Sequence, residues 1–312
     1  MKFVDAARVS AGLDVHHLVD ALRAGFQADW EMPLRHRHTV KRADEPDSYL
    51  ALMPAWRSDG ALGVKVTTIV PGNAARNLSS VMPIYILFDS VTGAPSAVMD
   101  GRMITLLRTA ATSALAATYL ARENSKRLLM VGTGALAPHL IHAHCAVRPI
   151  DEVLVWGRRR VKAEELVAAL GHMKLRVTAV TDLEAAARSV DVISCATLSD
   201  APLVLGTWLK LGTHVDLVGS FTPTMREVDD EAIRIARIYA DKREAALVEP
   251  GDITQPIANG TITPDHIVGD LFGLARGTVK GRREANEITI FKSVGLALED
   301  LVAARLVLAQ AA

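Results

Sequence analysis

Cysteine is scarce: Cys145 and Cys195 are the only two in 312 residues. That excludes a disulfide framework and fits a reducing compartment, here expected to be the cytoplasm. Net charge is lacking too. The 35 Lys and Arg balance 35 Asp and Glu, which argues against bulk electrostatic binding to nucleic acid or to an anionic membrane. No uninterrupted apolar stretch reaches the ~18 residues of a membrane span, and the N-terminal stretch lacks the apolar core of a signal peptide. The chain shows no internal repeat and no low-complexity linker. What is present is a globular composition, 50% apolar and 22% charged, in a length that suits two domains.

The patterning divides the chain. Leu13, His17, Leu18, Ala21, Leu22 and Phe26 recur at helical spacing near the N-terminus, which reads as one capped amphipathic helix. Short strand-like runs follow: His38-Thr39-Val40, residues 48–53, residues 63–70, Val81–Asp89 and residues 97–100, with Thr92-Gly93 as a turn. An Ala-rich helix is expected over residues 103–122. From Lys126 on, strand-like runs alternate with helical patterns: the continuous apolar run RLLMVG, then EVLVWG, LRVTAV, DVISCAT and HVDLVGS. Such alternation predicts a doubly wound parallel sheet. A final helix closes the chain, and EAIRIARIY reads as a further helix whose acidic first turn is Asp229-Asp230-Glu231.

The strongest motif is Gly132-Thr133-Gly134-Ala135-Leu136-Ala137, a GxGxxA turn between a predicted strand and a predicted helix. Gly132 permits the tight turn, Gly134 lets backbone approach a pyrophosphate, and Ala137 is small enough for close helix–strand packing. The helix N-terminus then offers free N–H groups to phosphate. At the end of the next strand, Trp156-Gly157 leads into Arg158, Arg159 and Arg160, while Asp151 and Glu152 lie at the strand's other end. Guanidinium groups in place of a carboxylate favour a 2′-phosphate, so NADPH is the expected cofactor, with NADH as the second choice.

Three cations are candidates for holding an anionic substrate: Lys65 inside the apolar run GVKVTTIV, Arg108 in the Ala-rich helix, and Arg35 before the first strand, with Arg37 two residues away. Taken singly, each also reads as a surface charge. His139, His142, His144 and Cys145 match no metal-site spacing, so no metal is expected. Cys195 reads as a buried, inert thiol.

Several blocks occur in one order: Leu52-Met53-Pro54-Ala55, Val64-Lys65-Val66, Ala97-Val98-Met99-Asp100-Gly101, Arg108-Thr109-Ala110-Ala111, Gly132-Thr133-Gly134, Arg226-Glu227-Val228-Asp229-Asp230-Glu231 and Phe291-Lys292-Ser293-Val294-Gly295. Through them the chain resembles the ornithine cyclodeaminase/mu-crystallin family over nearly its full length. The resemblance implies an α/β protein. Its Rossmann-type doubly wound parallel sheet would occupy residues 121–289. A strand-rich α+β substrate and dimerisation domain would be built from residues 1–120 and 290–312. It implies a homodimer, substrate contacts from Arg35, Lys65, Arg108, Met53 and Phe221, and cofactor contacts from Gly132, Thr133, Gly134, Ala135, Leu136, Arg158, Arg159, Thr109, Ala196, Thr197, Val218 and Lys292.

Two departures matter. Cyclodeaminases of the family carry a glutamate where Ala51 stands and an aspartate where Phe221 stands in Gly219-Ser220-Phe221-Thr222-Pro223. A methyl and an apolar ring cannot do acid–base work. The resemblance therefore narrows to the ketimine reductases of the family. These reduce Δ1-pyrroline-2-carboxylate to L-proline in the breakdown of trans-3-hydroxy-L-proline, and many also reduce Δ1-piperideine-2-carboxylate to L-pipecolate. Lys65 is the expected catalytic residue if the protein supplies the proton. The competing readings are an L-alanine or N-alkyl amino acid dehydrogenase, an ornithine cyclodeaminase, and a non-catalytic NADPH-dependent ligand binder like mu-crystallin.

Overall fold

A computed structural model describes residues 1–58, 60–76 and 78–310. The chain divides into two compact units, one of residues 1–108 and 296–312 and the other of residues 109–295; residues 311 and 312 lie outside the described part.

The first unit contains β1 (Lys2–Val4), α1 (Ala6–Ala11), α2 (Val15–Gln27), β2 (His36–Val40), β3 (Ser48–Arg57), β4 (Ala61–Ile69), β5 (Val81–Asp89) and β6 (Pro95–Asp100). It also takes the start of α3 (Gly101–Leu120) and the C-terminal helix Ala297–Gln310. Its six strands run β1-β6-β5-β4-β3-β2; β1 pairs parallel with β6 and the other pairs are antiparallel. The N-terminal stretch corrects the single-helix expectation. It forms β1 and two helices, because Gly12 closes α1 and the Asp14 carboxylate caps α2 by accepting from the N–H of His16 and His17.

Alternation along β3 and β4 buries one face, including Ala51, Met53, Ala55, Ala61 and Lys65. The C-terminal helix packs against β3, β4 and β5, and α2 packs against that helix. Gly25 permits this second contact, since a Cβ there would stand 2.9 Å from Val302 Cγ2. The opposite face, with Leu52, Val64, Val66 and Ile84, stays partly open.

The second unit carries β7 (Arg127–Val131), α4 (Ala137–Val147), β8 (Glu152–Trp156), α5 (Arg160–Ala169), β9 (Arg176–Ala179), α6 (Leu183–Ser189), β10 (Val192–Cys195), β11 (His214–Leu217), α7 (Asp230–Ile235), β12 (Arg237–Ala240), α8 (Arg243–Ala246), α9 (Gly251–Ala258), β13 (Ile267–Asp270), α10 (Leu271–Ala275) and β14 (Thr289–Lys292); the C-terminal helix is α11. All eight strands are parallel, in the order β13-β12-β14-β11-β10-β7-β8-β9. From β9 to β11 this is the Rossmann order, with β14 rather than the next strand in sequence beside β11, and the direction of winding reverses between β7 and β10. The central strands are buried apart from Arg127, and besides their apolar residues they bury His214, Asp216, Thr289 and Lys292. The helix expected over EAIRIARIY ends at Ile235. Ala236 is extended, and Arg237–Ala240 forms β12, where burial in the sheet overrides the helical pattern. No helix among the described residues is long and apolar enough to cross a membrane.

Candidate active site

The first unit concentrates charge in its core. β4 turns Lys65 inward between Met53 on β3 and Tyr85 on β5. The beginning of α3 supplies Arg108, and α11 supplies Glu299 and Asp300. Lys65 Nζ lies 2.7 Å from Asp300 Oδ2, and Arg108 Nε donates to Asp300 Oδ1 at 3.0 Å. Arg108 Nη1 donates to Glu299. All four side chains are at most 6% exposed. Burial drives the Lys65 amine down to about 8, with Asp300 opposing and the charges of Arg108 and Arg35 assisting. Burial also works against the Arg108 charge, but Asp300 and Glu299 outweigh it and keep the guanidinium protonated.

The structure thus brings Lys65 and Arg108 to one carboxylate and places Arg35 near enough for its charge to act on Lys65. Arg37 instead stacks over Tyr49, 3.7 Å from the ring centre. Tyr85 is fully buried, and its hydroxyl has no hydrogen-bond partner among the described residues. Burial, and then the charge of Asp300, push that hydroxyl well above its ordinary pKa. Gly63 makes room for it, because a Cβ there would fall 2.2 Å from the phenolic oxygen. Sequence reasoning did not single out Glu299 and Asp300. The available signal was two adjacent carboxylates within the otherwise apolar run of α11.

The second unit holds the other predicted residues along the carboxyl ends of its strands, except Thr109, which is buried within α3. Gly132 follows β7 with φ of 119°, a conformation suited to glycine. A Cβ there would meet Ala196 O at 2.6 Å, whereas nothing lies within 4 Å of a Cβ on Gly134. α4 has no side-chain cap at its N-terminus. A tight turn, open space above Gly134 and uncapped helix N–H groups fit a dinucleotide's pyrophosphate. Arg158 and Arg159 are exposed after β8, and Arg160 pairs with Glu164 at 2.8 Å. Phe221, in the loop after β11, is 44% exposed.

Ala196 and Thr197 follow β10, and Val218 follows β11. Lys292, at the end of β14, has an internal partner: fully buried, it donates to Asp252 Oδ2 at 3.3 Å. Asp252 Oδ1 accepts from the N–H of Glu227 at 2.7 Å and of Val228 at 3.2 Å. Burial raises the Glu227 carboxyl to about 7, Lys292 pulling it down and Asp252 pushing it up. His144 Nε2 lies 3.1 Å from the buried Asp216, which also accepts from Ser194 Oγ. Burial pushes the Cys195 thiol well above its ordinary range.

Sheet order, glycine turn and a separate unit with a buried cation pair define a two-unit α/β protein with a Rossmann-type nucleotide fold. The model of the ornithine cyclodeaminase/mu-crystallin family matches residues 2–312, and the chain belongs to that family. It is 39% identical to a Δ1-pyrroline-2-carboxylate reductase of Paracoccus denitrificans, over 87% of this chain and 88% of that protein. The structure of the Thermococcus litoralis Δ1-pyrroline-2-carboxylate reductase, solved with NADH and L-proline, superposes with a TM-score of 0.92 at 33% identity, covering 100% of this chain and 97% of that one. An archaeal alanine dehydrogenase dimer with bound NAD gives 0.91 at 29% identity, with the same coverage.

Proposed function

We propose that the protein is an NAD(P)H-dependent oxidoreductase that reduces the cyclic ketimine Δ1-pyrroline-2-carboxylate to L-proline. The observation that carries this reading is the convergence of Lys65 and Arg108 on one buried carboxylate; the names of its relatives support it. Such a substrate has an electrophilic C=N carbon next to a carboxylate. Lys65, Arg108 and Arg35 hold that carboxylate, the arginines with a fork that suits it. Lys65 is ion-paired with Asp300, and its ammonium carries three donors. Asp300 faces a cation with each oxygen, which engages it as an anchor of the clamp rather than as a base. The reduced nicotinamide supplies the hydride when bound.

In the second unit Gly132, Thr133, Gly134, Ala135 and Leu136 cradle the pyrophosphate, while Arg158 and Arg159 take a 2′-phosphate and favour NADPH. Thr109, Ala196, Thr197 and Val218 line the cofactor, and Lys292 acts from beneath through Asp252. Lys65 holds a proton at Nζ for the imine nitrogen when the substrate arrives unprotonated. Met53 meets the ring methylenes, and a six-membered ring, Δ1-piperideine-2-carboxylate, fits the same chemistry. With Ala51 and Phe221 in place of carboxylates, deamination lacks its acid–base groups. The partly open face of the first sheet serves a cytoplasmic homodimer, and the substrate arises in trans-3-hydroxy-L-proline breakdown.

NAD(P)H oxidation with Δ1-pyrroline-2-carboxylate and with pyruvate plus ammonia, together with ammonia release from L-ornithine, tests this reading. Turnover of the imine to L-proline, well above the other two, is expected. Faster turnover of pyruvate with ammonia would make it an alanine dehydrogenase, and ammonia release from ornithine would make it a cyclodeaminase.

A further inference from the structure

We infer that Glu227 is a positioning residue for the nicotinamide half of the nucleotide cradle, its carboxylate locking together the loops after β10 and β11. The inference rests on the proposed dinucleotide site in the second unit. Glu227 is fully buried. Its Oε1 accepts from Thr197 N at 2.7 Å and Thr197 Oγ1 at 3.0 Å; its Oε2 accepts from Gly219 N at 2.7 Å and Ser220 N at 3.3 Å. One side chain therefore satisfies donors from two loops just beyond the β10–β11 ladder, which ends at Cys195 and Leu217.

The backbone agrees independently. A Cβ on Gly219 would stand 2.0 Å from Thr197 O and 2.5 Å from Glu227 Oε1, so the loops touch with no room for a side chain. Asp252 fixes Glu227 from below by accepting from its N–H, and Lys292 secures Asp252. In a doubly wound sheet the ligand lies outside the carboxyl ends of the strands. One half-sheet takes each mononucleotide, and the glycine turn after the first strand marks the pyrophosphate. Here β7, β8 and β9, with Gly132 and the arginines, form the adenosine half. β10, β11 and β14 form the other half, and Glu227 bridges loops of that half alone.

Titration calorimetry with NADH and with ADP-ribose tests the assignment in the wild type, Glu227→Gln, Thr197→Val and Thr197→Ser. An amide keeps one acceptor oxygen and turns a donor toward the other loop. Glu227→Gln should therefore raise the Kd for NADH about tenfold or more, as loss of a charge-assisted hydrogen bond predicts, with ADP-ribose unchanged. Thr197→Val should weaken NADH less, Thr197→Ser should restore binding, and Thr197→Val should add nothing in the Glu227→Gln background. If Glu227→Gln does not fold, the two Thr197 variants decide by the same criterion. Equal weakening of both ligands, or of neither, overturns the inference while leaving the dinucleotide site standing. A wild type that binds ADP-ribose but not NADH or NADPH would sink the functional reading and this inference with it.

Discussion

Each unit buries a lysine against an aspartate, and the two settings differ in kind. Lys65 meets Asp300 at 2.7 Å beside a second cation, Arg108, with Arg35 acting on it as well. Lys292 meets Asp252 at 3.3 Å beside a second carboxylate, Glu227, whose four acceptor contacts all go to loop donors. The first setting sets three cations, Lys65, Arg108 and Arg35, against two carboxylates, Asp300 and Glu299, and suits an incoming anion. The second is rich in acid, all of it committed to backbone N–H groups, the Thr197 hydroxyl and lysine, and suits a brace. Burial and an ion pair alone do not make a lysine a substrate ligand; the sign of the remaining neighbours does.

The contrast breaks most visibly under truncation. Lys65→Ala or Arg108→Ala should lower kcat/KM for the imine by roughly 10²-fold or more, if carboxylate binding orients the reaction. The nucleotide Kd should stay put. Activity retained in both variants would remove these residues from the site. Lys292→Met should do the reverse: substrate KM is spared, while Asp252 loses its buried counter-charge, which should cost about 3–5 kcal/mol in chemical denaturation. A stability loss below 1 kcal/mol, with a raised substrate KM, would merge the two lysines into one role.

Titration sharpens the comparison further. Since Lys65 is charged below about pH 8, kcat/KM should fall as pH rises through that value. Lys65→Arg should carry the fall to higher pH. A profile flat from pH 7 to pH 10 would contradict a charged Lys65 in the clamp. The smallest effect expected concerns selectivity: Arg158→Ala with Arg159→Ala should weaken NADPH several-fold relative to NADH, consistent with exposed ion pairs being worth about 1 kcal/mol or less. Equal loss for both cofactors would reject a 2′-phosphate contact.

Legibility in the sequence follows from the range of the interactions involved. The parallel sheet was readable because β7 is a continuous apolar run, β10 and β11 are short strand-like runs between helix patterns, and the Gly132 turn is a local signal. β1 and β12 were not readable as strands. Three or four residues carry little periodicity, and Arg237–Ala240 continues a helical spacing until the sheet claims it. Lys65 and Arg108 stood out as cations in apolar surroundings. Their anchors did not, because Asp300 lies 192 residues from Arg108 and an acid in the first turn of α11 already has a local explanation in the helix dipole. Lys292 belonged to a matching block, but only the fold reveals that its partner is Asp252.

The most direct test compares kcat/KM for Δ1-pyrroline-2-carboxylate and for Δ1-pyrroline, the same imine without its acid group, in the wild type and in Lys65→Ala. A clamp on the carboxylate predicts a strong wild-type preference for the acid that collapses in the variant. Equal rates for both imines in the wild type, or a preference that survives the loss of Lys65 unchanged, would contradict it.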